Sequence, residues 1–362
     1  MQAEMNLGAD IELIKSLSLA FGPSGREERV RELISGRVRN IAHSAIVDRM
    51  GNLICRMSFG ESEKRSKIML CAHMDEVGFM VDSICSDGML TFGCVGGIDS
   101  SVLAGRKITI EAKQGLISGV ICSKAIHHKD KDERQKALGA DKLYMDIGVT
   151  SREDADTLIS VGAFATFDSE FYTFGKNGAT LKGKALDDRM GCAALIEIME
   201  SLHAEPPAIN ADVYFCFTVR EEIGYSGAQA AARLIAPHLA LVLETTAISD
   251  IPDTEPHRRV ADVGAGGVIS VADRATVYDR ELVDYALALA KREGIGAQIK
   301  RYVSGGNDAG HIHKALTGIK TLALSVPTRY LHSPACVAHI DDYKSVRCLA
   351  AAIIKNYRRE QG

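Results

Sequence analysis

The chain has 362 residues, 46% of them apolar and 25% charged, which fits an ordinary globular protein and excludes a disordered or fibrous one. Its formal charge is −4 with lysine and arginine dispersed, so nucleic acid and anionic membrane surfaces are excluded as expected partners. No stretch reaches the ~18 consecutive apolar residues of a membrane span, and the first ten residues lack the cationic start and apolar core of a secretory signal. The nine cysteines form no Cys-x-x-Cys pair, and Cys71, Cys94 and Cys216 fall in apolar runs. They read as reduced core thiols of a cytoplasmic protein.

In chain order, Ile11, Ile14, Leu17 and Phe21 predict a first helix, ended by Gly22-Pro23. Ser24 with Glu27 three residues on is a capping-box pattern for a second helix with Val30, Leu33 and Ile34 as its buried stripe. Short strands are expected at 45–48, 53–57 and 68–72, with a turn at 48–52. From about residue 77 to 174, short apolar runs alternate with glycines, which predicts a small β-barrel or sandwich. Inside it, residues 127–136 are almost wholly polar and read as a solvated loop, with a flap over a site as the alternative.

After residue 178 strands and helices alternate: a helix from near Asp188, a strand at 213–219, a helix at 226–234 and a strand at 239–243. A helical stripe of Leu282, Tyr285, Ala286 and Leu289, a strand at 321–326, and a closing helix carrying Val346, Leu349, Ile353 and Tyr357 complete the pattern. This predicts an α/β fold with a mostly parallel mixed central sheet covered by helices on both faces. Residues 1–75 and 177–362 would form that domain, and residues 76–176 an inserted β-rich one.

Several strand ends carry groups suited to a metal. Asp187-Asp188 places two carboxylates side by side before a helix, where a cap needs only one. His73 and Asp75 follow the apolar run 68–72 and point the same way on extended backbone, so Asp75 can orient the imidazole. Glu221-Glu222 follows the run 214–219, leaving one carboxylate to bind metal and its neighbour to act on water. Glu244 ends the strand 239–243, and His332 follows the strand 321–326 and a proline. Each has an ordinary structural reading alone. Together, His73, Asp187, Glu222, Glu244 and His332 suit two divalent ions with one shared carboxylate. The paired His311 and His313 are read as residues of a short helix, where positions two apart do not share a face.

The motifs Ala72-His73-Met74-Asp75-Glu76-Val77-Gly78, Ala185-Leu186-Asp187-Asp188-Arg189-Met190-Gly191-Cys192 and Phe217-Thr218-Val219-Arg220-Glu221-Glu222-Ile223-Gly224 resemble those of M42-family metallo-aminopeptidases. Gly305-Gly306-Asn307-Asp308-Ala309-Gly310 and Arg329-Tyr330-Leu331-His332-Ser333-Pro334 extend the resemblance over nearly the whole chain. It implies Asp187 as the bridge between two ions, His73 and Glu244 on one, Glu222 and His332 on the other. Glu221 is implied as general base on a water between the ions, and Asp75 as the residue orienting His73. Gly306, Asn307 and Asp308 would neighbour the substrate. Zinc or cobalt, or manganese, peptides with a free N-terminus, and a homo-oligomer (dimer, then dodecamer) are implied with them, the insert serving as dimerisation domain.

This sequence departs from the family's commoner pattern in carrying Glu244 for aspartate and Asn307 for threonine. Two other readings are weighed against the resemblance. A carboxylate-pair glycosidase is suggested by relatives labelled endoglucanase, but such sites use aromatic platforms, and tryptophan is absent here. A non-catalytic self-assembling shell would have no need of a complete ligand set.

Overall fold

A computed structural model describes residues 7–62, 64–128 and 138–357. Of the polar segment 127–136, only His127 and His128 fall among them, in the 3-10 turn Ile126–His128. The chain opens with helices α1 (Leu7–Leu19) and α2 (Glu28–Val38), then strands β1 (Ser44–Val47), β2 (Leu53–Phe59) and β3 (Ser66–His73). Strands β4 (Gly78–Ile84), β5 (Leu90–Val95), β6 (Lys107–Ala112), β7 (Gly115–Cys122) and β8 (Tyr144–Asp146) follow, then helix α3 (Arg152–Leu158) and strand β9 (Phe164–Phe167). Strands β10 (Tyr172–Phe174) and β11 (Thr180–Gly183) lead into the long helix α4 (Leu186–Ala204). Next come β12 (Ala211–Thr218), α5 (Ser226–Ile235), β13 (Leu239–Ala247), β14 (Gly267–Ile269), α6 (Arg280–Glu293) and β15 (Ala297–Ile299). Helix α7 (Ala309–Ile312), strands β16 (Lys320–Arg329) and β17 (Cys336–His339) and helix α8 (Ile340–Asn356) end the fold.

Strands β4 to β9 close into a barrel in the order β4-β5-β8-β7-β6-β9, with its own apolar core. There the fully buried Phe79 meets Phe92 and Phe167 edge-on, at centroid distances of 5.3 and 5.1 Å. The other eleven strands form one mixed sheet, β1-β2-β12-β3-β13-β16-β17-β11-β10, with β14 and β15 attached at β16.

The centre of that sheet, β12-β3-β13-β16, is parallel, and its flanks are antiparallel. The reason lies in the residues. Ile68–Ala72 and Leu239–Leu243 are buried on both faces, which only helices above and below can provide. Helix α4 packs on β3 and β13 with α1 and α2 against it, while α5 and α7 pack together beside β12 and β16.

Several local expectations are corrected. Ser24 and Glu27 make no capping box: α2 starts without a side-chain cap. Ser24 Oγ instead donates to Asp75 Oδ2 at 2.6 Å, and Glu27 Oε1 accepts the N–H groups of Gly25 and Arg220 at 2.7 and 3.2 Å. The buried stripe of α2 is Val30, Ile34 and Val38, four residues apart each time, which leaves Leu33 exposed. Cys94 is exposed on the barrel rather than buried.

The strand expected at 239–243 runs on to Ala247, because Glu244–Ala247 pair with Ser325–Thr328 after β3 has ended. Likewise Pro327 lies inside β16 rather than beyond it. The sheet tolerates its missing N–H because β14 bonds only at Leu324 and Ser325 and β17 only at Thr328 and Arg329.

Candidate metal centre

The parallel strands deliver their carboxyl ends to one edge of the sheet. His73 is the last residue of β3 and pairs with Thr218, the last of β12, so the Glu221-Glu222 turn starts beside it. On the other flank the last registered pair of β3 with β13 is Cys71 with Val242, two residues before His73 and Glu244. Glu244 therefore emerges level with the imidazole. His332 arrives on the turn after β16, and Asp187 at the start of α4.

The five expected ligands and Glu221 are brought together. His73 Nε2 lies 3.3 Å from Asp187 Oδ1, 3.5 Å from Glu244 Oε1 and 4.0 Å from Glu221 Oε2. His332 Nε2 lies 3.5 Å from the other Asp187 oxygen, Oδ2, and 3.2 Å from Glu222 Oε2. Three trios have ligand atoms within 4.8 Å of one another: His73 with Asp188 and Glu244, His73 with Glu221 and Glu222, and Asp187 with Glu222 and His332. Imidazole and carboxylate donors at this spacing fit divalent ions such as zinc, cobalt or manganese.

The supporting bonds explain why these side chains stay in place. Nδ1 of His73 meets the Asp75 carbonyl at 3.0 Å, closer than the Asp75 carboxylate at 3.4 Å. Asp75 acts more on the neighbouring turn: its oxygens accept the N–H groups of Glu221 and Glu222 at 3.0 and 3.2 Å. His332 Nδ1 meets the Gly97 carbonyl, at 2.5 Å, just past β5 of the barrel. Asp188, joined to Asp187 by a cis peptide, accepts the N–H of His73 at 3.2 Å and that of Gly191 at 3.0 Å.

Arg189 is fully buried and gathers the carbonyls of Leu17, Gly22 and Met74, together with Glu76. Lys184 meets the same Glu76 at 2.9 Å. Ser24, Gly97, Glu76, Lys184 and Arg189 were not legible as supports, since each acts through a partner distant in sequence. The one local signal was Arg189, a cation directly after two carboxylates.

Backbone strain gathers here too. Ala185, Arg220, Tyr225, Tyr330 and His332 all have φ between +51° and +60° without being glycine. Such residues cost about 1–3 kcal/mol each and persist where packing fixes them, which is common around sites.

Burial dominates the electrostatics. It raises the Glu221 carboxyl well above its ordinary range, His73 opposing and Glu244 and Glu222 adding to the rise. It likewise pushes Glu244 up to about 8. Burial works against charge on His332, yet Asp187 and Glu222 hold it up to about 11. Asp187 stays well below the carboxylate range because His332 and His73 outweigh its burial. Neutral imidazole and ionised carboxylate are the forms that bind a divalent cation, so metal entering such a set displaces protons.

The centre opens into a cleft of about 540 Å³ whose lining includes Glu221, Glu222, Glu244, Lys300, Gly306 and Asn307. Gly306 and Asn307 thus border it as expected. The Asn307 side chain is tied inward, accepting from Ala309 N–H at 2.8 Å and donating to Tyr278 Oη at 3.3 Å. Asp308 is buried and accepts the Thr218 hydroxyl at 2.7 Å, its Oδ1 having no partner among the described residues. His313 bonds back to the Ala309 carbonyl and His311 stacks on Tyr225, in keeping with their helical reading.

Several known proteins are similar to this chain over nearly its whole length. The family model described as M42 glutamyl aminopeptidase matches residues 51–349. A lysyl aminopeptidase from Pyrococcus furiosus is 28% identical over 354 residues, 96% of this chain and 98% of that one. The crystal structure of a TET aminopeptidase from Thaumarchaeota archaeon SCGC AB-539-E09 superposes with a TM-score of 0.91 at 33% identity, covering 97% of each chain. The TET1 peptidase of Pyrococcus horikoshii, described as able to assemble into a tetrahedron or a large octahedral shell, superposes with a TM-score of 0.84. It is 34% identical, with 95% of this chain and 98% of that one covered.

Proposed function

The chain belongs to the M42 peptidase family, and from that premise we propose that it is a two-metal aminopeptidase that removes the first residue of peptides. One observation carries the reading: the two oxygens of Asp187 face two different imidazoles, His73 at 3.3 Å and His332 at 3.5 Å. So placed, that carboxylate would be shared between two ions. His73 and Glu244 would complete one ion, Glu222 and His332 the other. Zinc or cobalt suits these donors best, manganese also.

When bound, the ions supply Lewis-acid polarisation of the scissile carbonyl and a lowered pKa for water. The chain supplies the proton traffic. Glu221, buried and raised, takes a proton from the attacking water on its carboxylate and delivers it to the departing amine nitrogen. Asp75 holds the backbone of Glu221 and Glu222 still, so base and ligand keep one geometry. Asp188 positions rather than ligates, its oxygens being engaged by the His73 and Gly191 N–H groups.

The barrel, with the residues flanking it in 76–176, is read as an inserted dimerisation domain, and the assembly as a dimer-built dodecamer. Exposed Met80, Val120, Tyr144 and Val161 on this part of the chain support that reading. No helix among the described residues is long and apolar enough to cross a membrane, and peptides are the partners this cleft suits. The family description names glutamate and the Pyrococcus furiosus relative names lysine, so the names leave the preferred first residue open.

The test is hydrolysis of an unblocked aminoacyl anilide beside its N-acetylated form. Cleavage of the free-amine substrate alone, abolished by chelation and restored by Zn²⁺ or Co²⁺, is expected. Activity that survives both chelation and Glu221→Gln contradicts the reading.

A further inference from the structure

A buried cation beside the candidate metal centre has no part in the proposed chemistry. Lys184 lies between β11 and α4, three residues before Asp187. Its Nζ donates to Glu76 Oε1 at 2.9 Å and to the Thr166 hydroxyl at 3.1 Å, and its carbonyl accepts the Ser18 hydroxyl at 2.6 Å. Glu76 follows the end of β3, and Thr166 belongs to β9 of the barrel. One ammonium thus joins the α/β sheet, the barrel and the segment that leads to Asp187, and Lys184, Glu76 and Thr166 are all buried.

Stability alone gives no reason for a lysine here. Arg189 already meets Glu76, and among the described residues Glu76 is the one carboxylate paired with either cation. Two buried cations on one carboxylate leave a surplus charge, which is costly to desolvate. A methionine of similar length would leave Glu76 paired with Arg189, so Lys184 is not needed to neutralise it.

What Lys184 does hold is the end of the barrel that touches one set of ligands. Gly78 of β4, two residues after Glu76, pairs with Val95 of β5, so the chain leaving β5 starts out beside this junction. Two residues on, the Gly97 carbonyl meets His332 Nδ1. A side chain on Gly96 would start 2.8 Å from Val77 and 3.4 Å from the Glu222 Cβ, so bare backbone packs directly on Glu222. A cavity whose lining includes Lys184, Glu76, Asp187, Glu222 and His332 measures only about 10 Å³, barely the room of one water. Asp187, Glu222 and His332 are therefore packed around the spot that Lys184 pins. The other ligands are held without the barrel: His73 by the Asp75 carbonyl and Asp188, and Glu244 by the Thr245 N–H at 2.9 Å.

We propose, resting on the two-metal reading, that Lys184 is a positioning residue for the ion of Asp187, Glu222 and His332. It locks the barrel to the approach of Asp187 and so sets the spacing of those three ligands without touching the ion. Its loss weakens that ion and spares the one at His73 and Glu244.

The experiment titrates metal-free protein with Co²⁺, following bound metal by elemental analysis and each step by calorimetry and the visible absorption of the ion. Glu244→Ala and His332→Ala mark which step belongs to which ion. The natural chain should take up two ions. In Lys184→Met the ion at Glu222 and His332 should bind about tenfold or more weakly, while the ion at His73 and Glu244 keeps its affinity within about twofold. Thr166→Val should weaken the same ion, and Thr166→Ser, which keeps the hydroxyl, should not. A lysine acting only through its charge would, once removed, tighten the neighbouring ion instead. Equal weakening of both ions, or an ion at Glu222 and His332 that is unchanged or tighter in Lys184→Met, overturns the assignment and leaves the two-metal reading standing. Denaturant midpoints of the metal-free variants report folding, and if Lys184→Met does not fold, the two Thr166 variants decide by the same pair of affinities. A natural chain that takes up no second ion overturns both.

Discussion

In the proposed reaction Asp187, Asp188 and Glu221 have unequal duties, which substitution separates. Asp187→Ala removes the oxygens that face both His73 and His332, so both ions should be lost together, as measured by elemental analysis. Asp188→Ala should keep both ions and lose rate, because it frees the His73 and Gly191 backbone rather than a ligand. Glu221→Gln should also keep its metal while kcat falls by about 10²–10⁴, the usual worth of a general base.

Ser24→Ala tests an indirect contribution. It removes the 2.6 Å bond to Asp75, and Asp75 fixes the Glu221-Glu222 turn. A drop of about 10-fold or more in metal affinity or rate is expected, as for other groups that hold a metal's ligands in place. No change in either would show that Asp75 needs no help. Ser24 also shows what a local pattern hides. Ser-x-x-Glu is a sound capping signal, but Asp75 lies 51 residues away and competes better for the hydroxyl. His73 and Glu222 stood out because imidazoles and carboxylates at strand ends contrast with apolar runs, and Asp187 because its carboxylate is doubled before a helix. Gly97, which contributes only a carbonyl, left no such mark.

At the scale of elements, the parallel strands β3, β12 and β13 were readable because burial on both faces leaves unbroken apolar runs. Their ends were less so. Glu244 lies inside β13 because β16 continues the pairing after β3 stops, a fact of partnership rather than composition. Beyond β16 the turn bearing Tyr330 and His332 is anchored by Arg329, whose Nε and Nη2 meet the two Asp250 oxygens at 2.5 and 2.7 Å.

Burial raises the Asp250 pKa, but Arg329 and the Val263 N–H outweigh it, so the folded value lies below the ordinary one. The sign follows from linkage. The folded state binds this proton less readily, so the contribution is present above the unfolded pKa and is lost as pH falls through the folded value. Asp250→Asn should therefore cost about 1–3 kcal/mol near neutral pH and flatten the loss of stability below about pH 4. Denaturant midpoints across pH 2–7 would check it, and an unchanged acid limb would contradict it.

For the whole molecule, the barrel contributes more than a separate core. The Gly97 carbonyl just past β5 reaches the imidazole of His332, so the barrel and the α/β sheet meet at the candidate metal centre. The barrel itself was foreseen from its glycine-punctuated runs, but this junction was not, because nothing in Gly96-Gly97 says which histidine it will face. A dodecamer built through the insert should sediment at twelve times the 39.0 kDa chain mass, with a dimer as its smaller species. A monomer at micromolar concentration would contradict that assembly.

Removing metal should lower the melting temperature as well as activity, since ions that bind only the folded state stabilise it by about 2.7 kcal/mol at a hundredfold excess over Kd. The proposed chemistry depends above all on two ions sharing Asp187. The most direct measurement of that sharing is elemental analysis of the purified chain, titrated with Zn²⁺ or Co²⁺ after chelation, with anilide hydrolysis followed at each step. The expected result is binding that saturates at about two ions per chain, with full activity only as the second is filled. Full activity in protein holding no metal, or saturation at a single ion, would contradict it.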